Sequence, residues 1–261
     1  MKVTIMGAGS SGGVPVPGFG WGQCNPNNPK NRRSRASLLM ETSSKRFLID
    51  TSPDLRQQLL DANVSHLEGV IYTHAHADHL HGIDDLRGIN RAMGAPIPIY
   101  LDRTTLDEIE NRFSYVLTPL PEQANGFYFK PTLEPTVITA GETIEASGVS
   151  IKTFDQDHGY SRTIGLRVGQ FGYSTDLVRL PEHGFDVLKG VHTWVIGVFT
   201  DRDHTTHVNV KTALQWIERV SPKRAILTHL GPDLDYDILR DMLPDHVEPA
   251  FDGMVIDVPE A

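Results

Sequence analysis

The chain is predicted to fold as a layered α/β protein. Apolar runs of strand length alternate with helix-period segments through both halves of its 261 residues, and Gly, Pro, Asn and Asp clusters punctuate them. A stretch over 118–135 holding Pro119, Pro121, Pro131 and Pro135 divides the chain, so the expectation is one domain built of two halves, about 1–118 and 136–261. The composition is ordinary for a globular chain, with 39% hydrophobic and 22% charged residues, and the length suffices to bury a large core.

Taken in order, Lys2–Met6 is a short apolar strand that runs into the glycine-rich Gly7–Gly13. Formally this holds G-x-G-x-x-G, but a dinucleotide fingerprint must open a helix, and Val14-Pro15-Val16-Pro17-Gly18 cannot be one. The expected role is a tight loop passing close under the functional site, with backbone N–H groups offered to a substrate phosphate. Gly18–Arg35 reads as a long loop ending in Lys30, Arg32, Arg33 and Arg35. That cluster is either a solvated charge run or a source of bidentate phosphate contacts.

Ser37–Glu41 and Arg46–Asp50 pair as a hairpin around Thr42–Lys45. Ser52-Pro53-Asp54 supplies an N-cap serine, a proline at the first helical position and an acid in the first turn. Leu55, Leu59 and Leu60 continue that helix. Val70-Ile71-Tyr72 is then a buried strand, ending in His74, His76, Asp78 and His79. Residues two apart in an extended segment point the same way, so His74 and His76 can grip one ion while Asp78 and His79 address a second position. Imidazole and carboxylate together suit Zn, Mn or Fe. Helices over Asp84–Met93 and Thr104–Arg112 flank a strand at Pro96–Leu101.

Beyond the proline-rich stretch, strands are expected at Val149–Phe154, Thr163–Val168, Phe171–Ser174, Trp194–Phe199 and Arg224–Thr228, with a helix over Lys211–Val220. Three of these strands deliver one ligand-type residue each at their ends: His158, Asp176 and His229. Alone, each is a capping Asp or a core His. Together with the opening motif they form a set.

The spacing H-x-H-x-D-H after a strand, followed in order by His, Asp and His, resembles the metallo-β-lactamase superfamily. The resemblance implies an α/β fold of αβ/βα four-layer sandwich type. It also implies a dinuclear centre of two divalent metal ions, Zn or Mn. By it His74, His76 and His158 hold one ion, Asp78, His79 and His229 hold the other, and Asp176 bridges. Asp78 then belongs to the catalytic set as well as to the ligands. The segment Asp201–Asn209 resembles the part of phosphodiesterase branches that supplies a non-ligand histidine, which places His207 as a catalytic acid with a pKa near operating pH. His66, His81, His183, His192 and His246 match nothing and are read as structural or solvated.

GAGSSGGVPVP, THAHADHLHGIDDLR, DQDHG and SPKRAILTHL together resemble the PhnP-like group of cyclic phosphodiesterases. That group implies hydrolysis of a small cyclic phosphodiester by a metal-bridging hydroxide, and a homodimer. Its structural zinc needs several cysteines, whereas WGQCNPNNPKNRR offers only Cys24, so no structural zinc is expected. Two other activities share the ligand pattern: hydrolysis of a thioester or lactone, and 3′ processing of transfer RNA. A net charge of −9 argues against a stable nucleic-acid partner. The superfamily's diiron redox members carry glutamate where this chain has His76. One cysteine excludes an intramolecular disulfide. The N-terminus lacks the apolar core of a signal peptide, no run has membrane length, and the expected location is cytoplasmic.

Overall fold

The structure, a computed structural model, describes residues 1–42 and 45–259. The chain first lays down β1 (Lys2–Gly7), β2 (Ser37–Glu41), β3 (Arg46–Ile49), α1 (Leu55–Asp61), β4 (Gly69–Ile71), α2 (Ala77–Leu80), α3 (Leu86–Met93), β5 (Ile97–Leu101), α4 (Arg103–Phe113) and β6 (Leu133–Val137). It continues with β7 (Thr143–Ala146), β8 (Val149–Asp157), β9 (Arg162–Val168), β10 (Phe171–Ser174), α5 (Glu182–Leu188) and β11 (Thr193–Gly197). Then follow α6 (Val210–Val220), β12 (Arg224–Thr228), α7 (Tyr236–Met242), β13 (Val247–Pro249) and β14 (Val255–Asp257).

Strand side chains alternate between faces, and here both faces of each sheet are apolar, so each sheet must be covered twice. Leu38, Phe47 and Ile71 of one sheet meet Leu166, Phe171 and Ile226 of the other in a central layer. Leu39, Leu48 and Val70 turn outward onto Leu59, Leu86 and Ile109 of α1, α3 and α4. Trp194, Ile196 and Leu227 turn outward onto Phe185, Ala213 and Leu239 of α5, α6 and α7. The result is the αβ/βα four-layer sandwich.

The two seven-stranded sheets run β14-β1-β2-β3-β4-β5-β6 and β13-β12-β11-β10-β9-β8-β7. In the first, β14 through β3 pair antiparallel and β3 through β6 parallel. In the second, β7 through β10 pair antiparallel and β10 through β13 parallel. The same bonding pattern thus occurs twice, although no repeat is visible in the sequence. In this arrangement β8, β10 and β12 run in one direction and finish at one edge, as the sequence pattern requires of His158, Asp176 and His229.

Several elements differ from the sequence expectation. The helix expected from Ser52 starts at Leu55, after a turn in which the Ser52 hydroxyl accepts from the Asp54 N–H (3.1 Å) and the Ser52 carbonyl from the Leu55 N–H (2.9 Å). The Pro-rich stretch ends earlier than expected, since Pro135 lies in β6, an edge strand where a missing N–H is tolerated. Strand β8 runs to Asp157, three residues past Phe154. The C-terminal strand β14 returns to pair with β1, so residues from both parts of the chain build the first sheet. Of the expected hairpin turn, Ser43 and Ser44 lie outside the described residues. No helix among the described residues is long and apolar enough to cross a membrane.

Ile226 is fully buried between the sheets. Ile226→Ala should lower the free energy of unfolding by about 2–5 kcal/mol, read from urea denaturation followed by circular dichroism. A loss below about 0.5 kcal/mol would show that the sheets do not pack as described.

Candidate metal centre

After β4 the chain stays extended through His76 (φ −64°, ψ 152°) and then coils into the short helix α2. The extended part turns His74 and His76 to one place, and the first turn of α2 turns Asp78 and His79 to another. His158 follows β8, Asp176 follows β10 and His229 follows β12. The structure brings all seven together in two groups whose ligand atoms lie within 4.8 Å of one another. One group is His74, His76, His158 and Asp176; the other is Asp78, His79, Asp176 and His229.

Asp176 belongs to both because its two oxygens face different ways. Oδ1 lies 3.2 Å from the Nε2 atoms of His79 and of His229, while Oδ2 lies 3.8 Å from His74 Nε2 and 3.6 Å from His158 Nε2. Asp78 Oδ2 is 3.3 Å from His79 Nε2 and 3.4 Å from His229 Nε2. Four atoms held tetrahedrally at about 2.1 Å from one ion sit roughly 3.4 Å apart, which these separations match. The buried Nε2 atoms of His74 and His79 have no hydrogen-bond partner in the protein. Orphaned imidazole nitrogens converging with carboxylates fit a divalent metal.

The outer ring nitrogens of His74, His79 and His158 are held, while the buried Nδ1 of His229 has no partner. Asp50 Oδ2 accepts from His79 Nδ1 (2.7 Å) and from the Thr73 hydroxyl (2.7 Å), and Oδ1 accepts from the Thr73 N–H (2.7 Å). With its proton on Asp50, the Thr73 hydroxyl accepts from His74 Nδ1 (3.0 Å). One carboxylate therefore orients a histidine in each group. His158 Nδ1 donates to the Thr206 carbonyl (2.7 Å), and the Thr175 hydroxyl donates to Asp176 Oδ1 (2.7 Å). Sequence reasoning missed Asp50, although it ends a strand much as Asp176 does. It missed Thr206 because a backbone carbonyl has no side-chain signature.

Charge follows from this packing. Burial alone would lower His79, but Asp176, Asp78 and Asp50 together push it well above the usual histidine range. Burial alone would raise Asp176, and His229, His79 and His74 hold it well below the usual carboxylate range instead. His74 is pushed well down by burial and by His79.

His207 sits where the sequence comparison puts it, stacked on His229 with ring centroids 5.0 Å apart and edge-on to His158 at 4.8 Å. Its loop is closed by Val208 N–H to the Leu177 carbonyl (2.7 Å) and by Asn209 Nδ2 to Asp203 (2.7 Å). The expected pKa near neutrality is corrected, because burial, with the imidazoles of His229, His158 and His204, pushes His207 down to about 3. At neutral pH its imidazole is therefore uncharged.

Two further expectations change. The glycine-rich loop does lie against the site, with Leu230 N–H donating to the Ala8 carbonyl (2.8 Å) right after His229. Its N–H groups at Ala8, Gly9, Ser10 and Gly13 are, however, spent on Asp252, Ser34, Leu230 and Ser10 and are not free for a phosphate. The basic cluster is likewise committed: Lys30 to Tyr236, Arg32 to Trp21, Arg33 to Asn31 and the Leu234 carbonyl, and Arg35 to Asp54. Buried Arg33 also faces the sulfur of Cys24 (3.9 Å). His66 pairs with Glu68, His81 meets Arg112 and His192 meets Thr193, outside both groups.

Comparison with known proteins gives a consistent picture. Residues 45–230 match the family described as "Beta-lactamase superfamily domain". A solved structure titled as a new diphosphatase from the PhnP family superposes with a TM-score of 0.90 at 28% identity, covering 99% of this chain and 98% of that one. Among curated proteins, an octanoyltransferase of Porphyromonas gingivalis is 29% identical over 97% of this chain, which spans only 51% of that relative's length. A ribonuclease Z of Mycobacterium bovis is 23% identical over 89% of this chain and 86% of its own length.

Metal titration calorimetry tests the orienting carboxylate. Asp50→Ala should weaken both of two binding steps about 10–100-fold, and Thr73→Val should weaken only one. Unchanged affinity in Asp50→Ala would remove the orienting role.

Proposed function

As a member of the β-lactamase superfamily with a buried His/Asp centre, the chain is, we propose, a dinuclear metal-dependent hydrolase of a small phosphodiester. His74, His76 and His158 would hold one Zn or Mn ion, Asp78, His79 and His229 the other, and Asp176 would serve both. Bound there, two divalent ions supply an acidified water as nucleophile and neutralise charge on the group attacked.

The remaining work falls to the chain's own residues. Asp50 keeps a proton on His79 Nδ1 and, through Thr73, on His74 Nδ1, so each Nε2 lone pair stays turned inward. His207 presents a neutral imidazole N–H toward the space between the groups, where it stabilises negative charge growing on a phosphoryl or leaving oxygen. Phe199 packs against the His207 ring with centroids 5.3 Å apart. The observation that carries the phosphodiester reading is this non-ligand His207 packed against a ligand residue from each group, stacked on His229 and edge-on to His158. Likeness to a PhnP-family diphosphatase over the whole chain supports it.

A second reading, hydrolysis of an acyl thioester, is favoured by the name of the octanoyltransferase relative. Processing of RNA, which the ribonuclease Z relative suggests, fits poorly with a net charge of −9.

Turnover of bis-p-nitrophenyl phosphate by Zn- or Mn-loaded protein separates these readings, with an octanoyl thioester run alongside. Diester cleavage is expected, and His207→Ala should lower kcat about 10²–10³-fold with metal content unchanged. Thioester turnover without diester cleavage would transfer the protein to the acyl-hydrolase reading.

A further inference from the structure

A cavity of about 540 Å³ opens beside His74 and His76, between α4 and the turn through Tyr160. A second, of about 870 Å³, touches none of the seven ligand-type residues. Neither is lined by Gln156, Thr163 or Thr175, which form a polar cluster next to Asp176, each at most 1% exposed. The surroundings are apolar. A Cβ on Gly165 would lie 2.2 Å from the Phe154 ring and 2.8 Å from Gln156 Oε1, so glycine is what leaves room for both side chains.

Gln156 of β8 and Thr163 of β9 are cross-strand partners. Gln156 Nε2 donates one proton to the Thr163 hydroxyl oxygen (2.9 Å) and the other to the Thr175 carbonyl (3.0 Å). The Thr163 hydroxyl lies 3.0 Å from the Asp176 carbonyl and 3.3 Å from the Thr175 carbonyl. A hydroxyl has a single proton to give. With the Thr175 carbonyl already served by Gln156, that proton goes to the Asp176 carbonyl. Exchanging the amide O and N of Gln156 would set oxygen against oxygen at Thr175, so the orientation is fixed and Oε1 is left without a partner. A buried acceptor with no donor destabilises a fold, and an apolar side chain of similar size would avoid that cost. Stability does not account for Gln156, whereas its place does.

Asp176 adopts the left-handed region (φ 48°), and this turn aims its two oxygens at different ligand groups. Gln156 reaches the turn across β9 from the strand that carries His158 two residues further on. Next to Thr163, the Ile164 N–H donates to the carbonyl of Thr73 (3.0 Å), the residue before His74. The cluster thus ties the ends of β8 and β10 to the start of the first ligand motif.

We propose that Gln156, acting through Thr163, is a positioning residue for Asp176. It frees the Thr163 proton to hold the Asp176 carbonyl, and so fixes the backbone turn from which one carboxylate serves both ligand groups. The proposal rests on the dinuclear reading of the centre.

Calorimetric titration of the full chain with Mn, together with electron paramagnetic resonance of the saturated protein, tests it. Gln156→Met and Thr163→Val remove the hydrogen bonds at nearly constant volume. Each should weaken both Mn-binding steps roughly 10–100-fold, because Asp176 belongs to both groups. Thr163→Ser keeps the hydroxyl and should keep wild-type affinity. Two Mn ions sharing Asp176 should give a magnetically coupled spectrum in the wild type, which Gln156→Met should shift toward that of isolated ions. Urea denaturation of the metal-free chain is the control, where Gln156→Met should lower the midpoint less than Ile226→Ala does. Unchanged affinity in both Gln156→Met and Thr163→Val, weakening of a single step, or a midpoint loss matching that of Ile226→Ala would each overturn the positioning role. Uptake of one Mn per wild-type chain would remove the dinuclear reading and the proposal with it; two coupled ions with unaffected variants would remove the proposal alone.

Discussion

The Asp50 carboxylate is the point on which the centre turns. It is fully buried and accepts three hydrogen bonds, two from Thr73 and one from His79. An ionised carboxylate left unpaired in a protein interior costs several kcal/mol, so these donors are a condition for burying it at all. In return it fixes the tautomer of one histidine in each ligand group. Without it, either ring of His79 or His74 could turn its protonated nitrogen inward, and the Nε2 atoms that now converge unpartnered would be lost as ligands. His74, His79 and His158 follow this logic, a lone pair pointing in because a proton is held outside, whereas the buried Nδ1 of His229 has no partner.

The same edge also stores backbone strain. Asp50 (φ 62°), Asp176 (φ 48°) and His229 (φ 57°) all adopt the left-handed region that non-glycine residues avoid. Each costs roughly 1–2 kcal/mol relative to ordinary geometry. All three follow the ends of strands in the parallel parts of the two sheets, where the backbone must swing its side chain off the sheet edge and into the gap between the layers. Glycine would relieve the strain but carries no ligand atom. Asp50 and Asp176, moreover, follow the fourth strand of the same bonding pattern in their respective sheets, β3 and β10. One supports a ligand and the other offers ligand oxygens to both groups, so the repeated architecture has delivered two carboxylates with different tasks.

The sequence made the centre's inner residues legible because each ligand type is chemically distinctive and ends an apolar strand. His74 and His76 are recognisable from their spacing, and His158 and His229 only as a set with that motif. What supports them was not legible. Thr73 and Thr175 are ordinary strand-end threonines, and Thr206 acts through a carbonyl that any residue would have. The charge state of His207 depends on how deeply it is buried against His229 and His158, which no spacing reveals. The basic stretch over 30–35 misleads in the opposite sense: Lys30 and Arg33 hold the loop to the segment after His229, with Arg33 reaching the carbonyls of Gly231 and Leu234, while Arg32 packs on Trp21 and Arg35 pairs with Asp54. For the fold, long apolar strands were legible, whereas β13 and β14, three residues each, are too short to carry a pattern. The duplicated sheet pattern is legible only from pairing.

The ligand residues and their surroundings also differ in how tightly the fold holds them. The ligand residues hang from strand ends locked between two apolar layers, and a shift of one strand's register would move every ligand on it. The cavity beside them is walled by the helix α4 on one side and by the turn between β8 and β9 on the other, elements that belong to opposite sheets. Neither wall carries strand pairing, so residues such as Tyr160, Thr104 and Glu108 can change without disturbing the core. Arg112 is the exception, since its guanidinium holds the Ala75 carbonyl between His74 and His76. The cavity is thus walled by the parts of the molecule whose alteration costs the fold least, and Arg112 is where that wall is tied back to the ligand residues themselves.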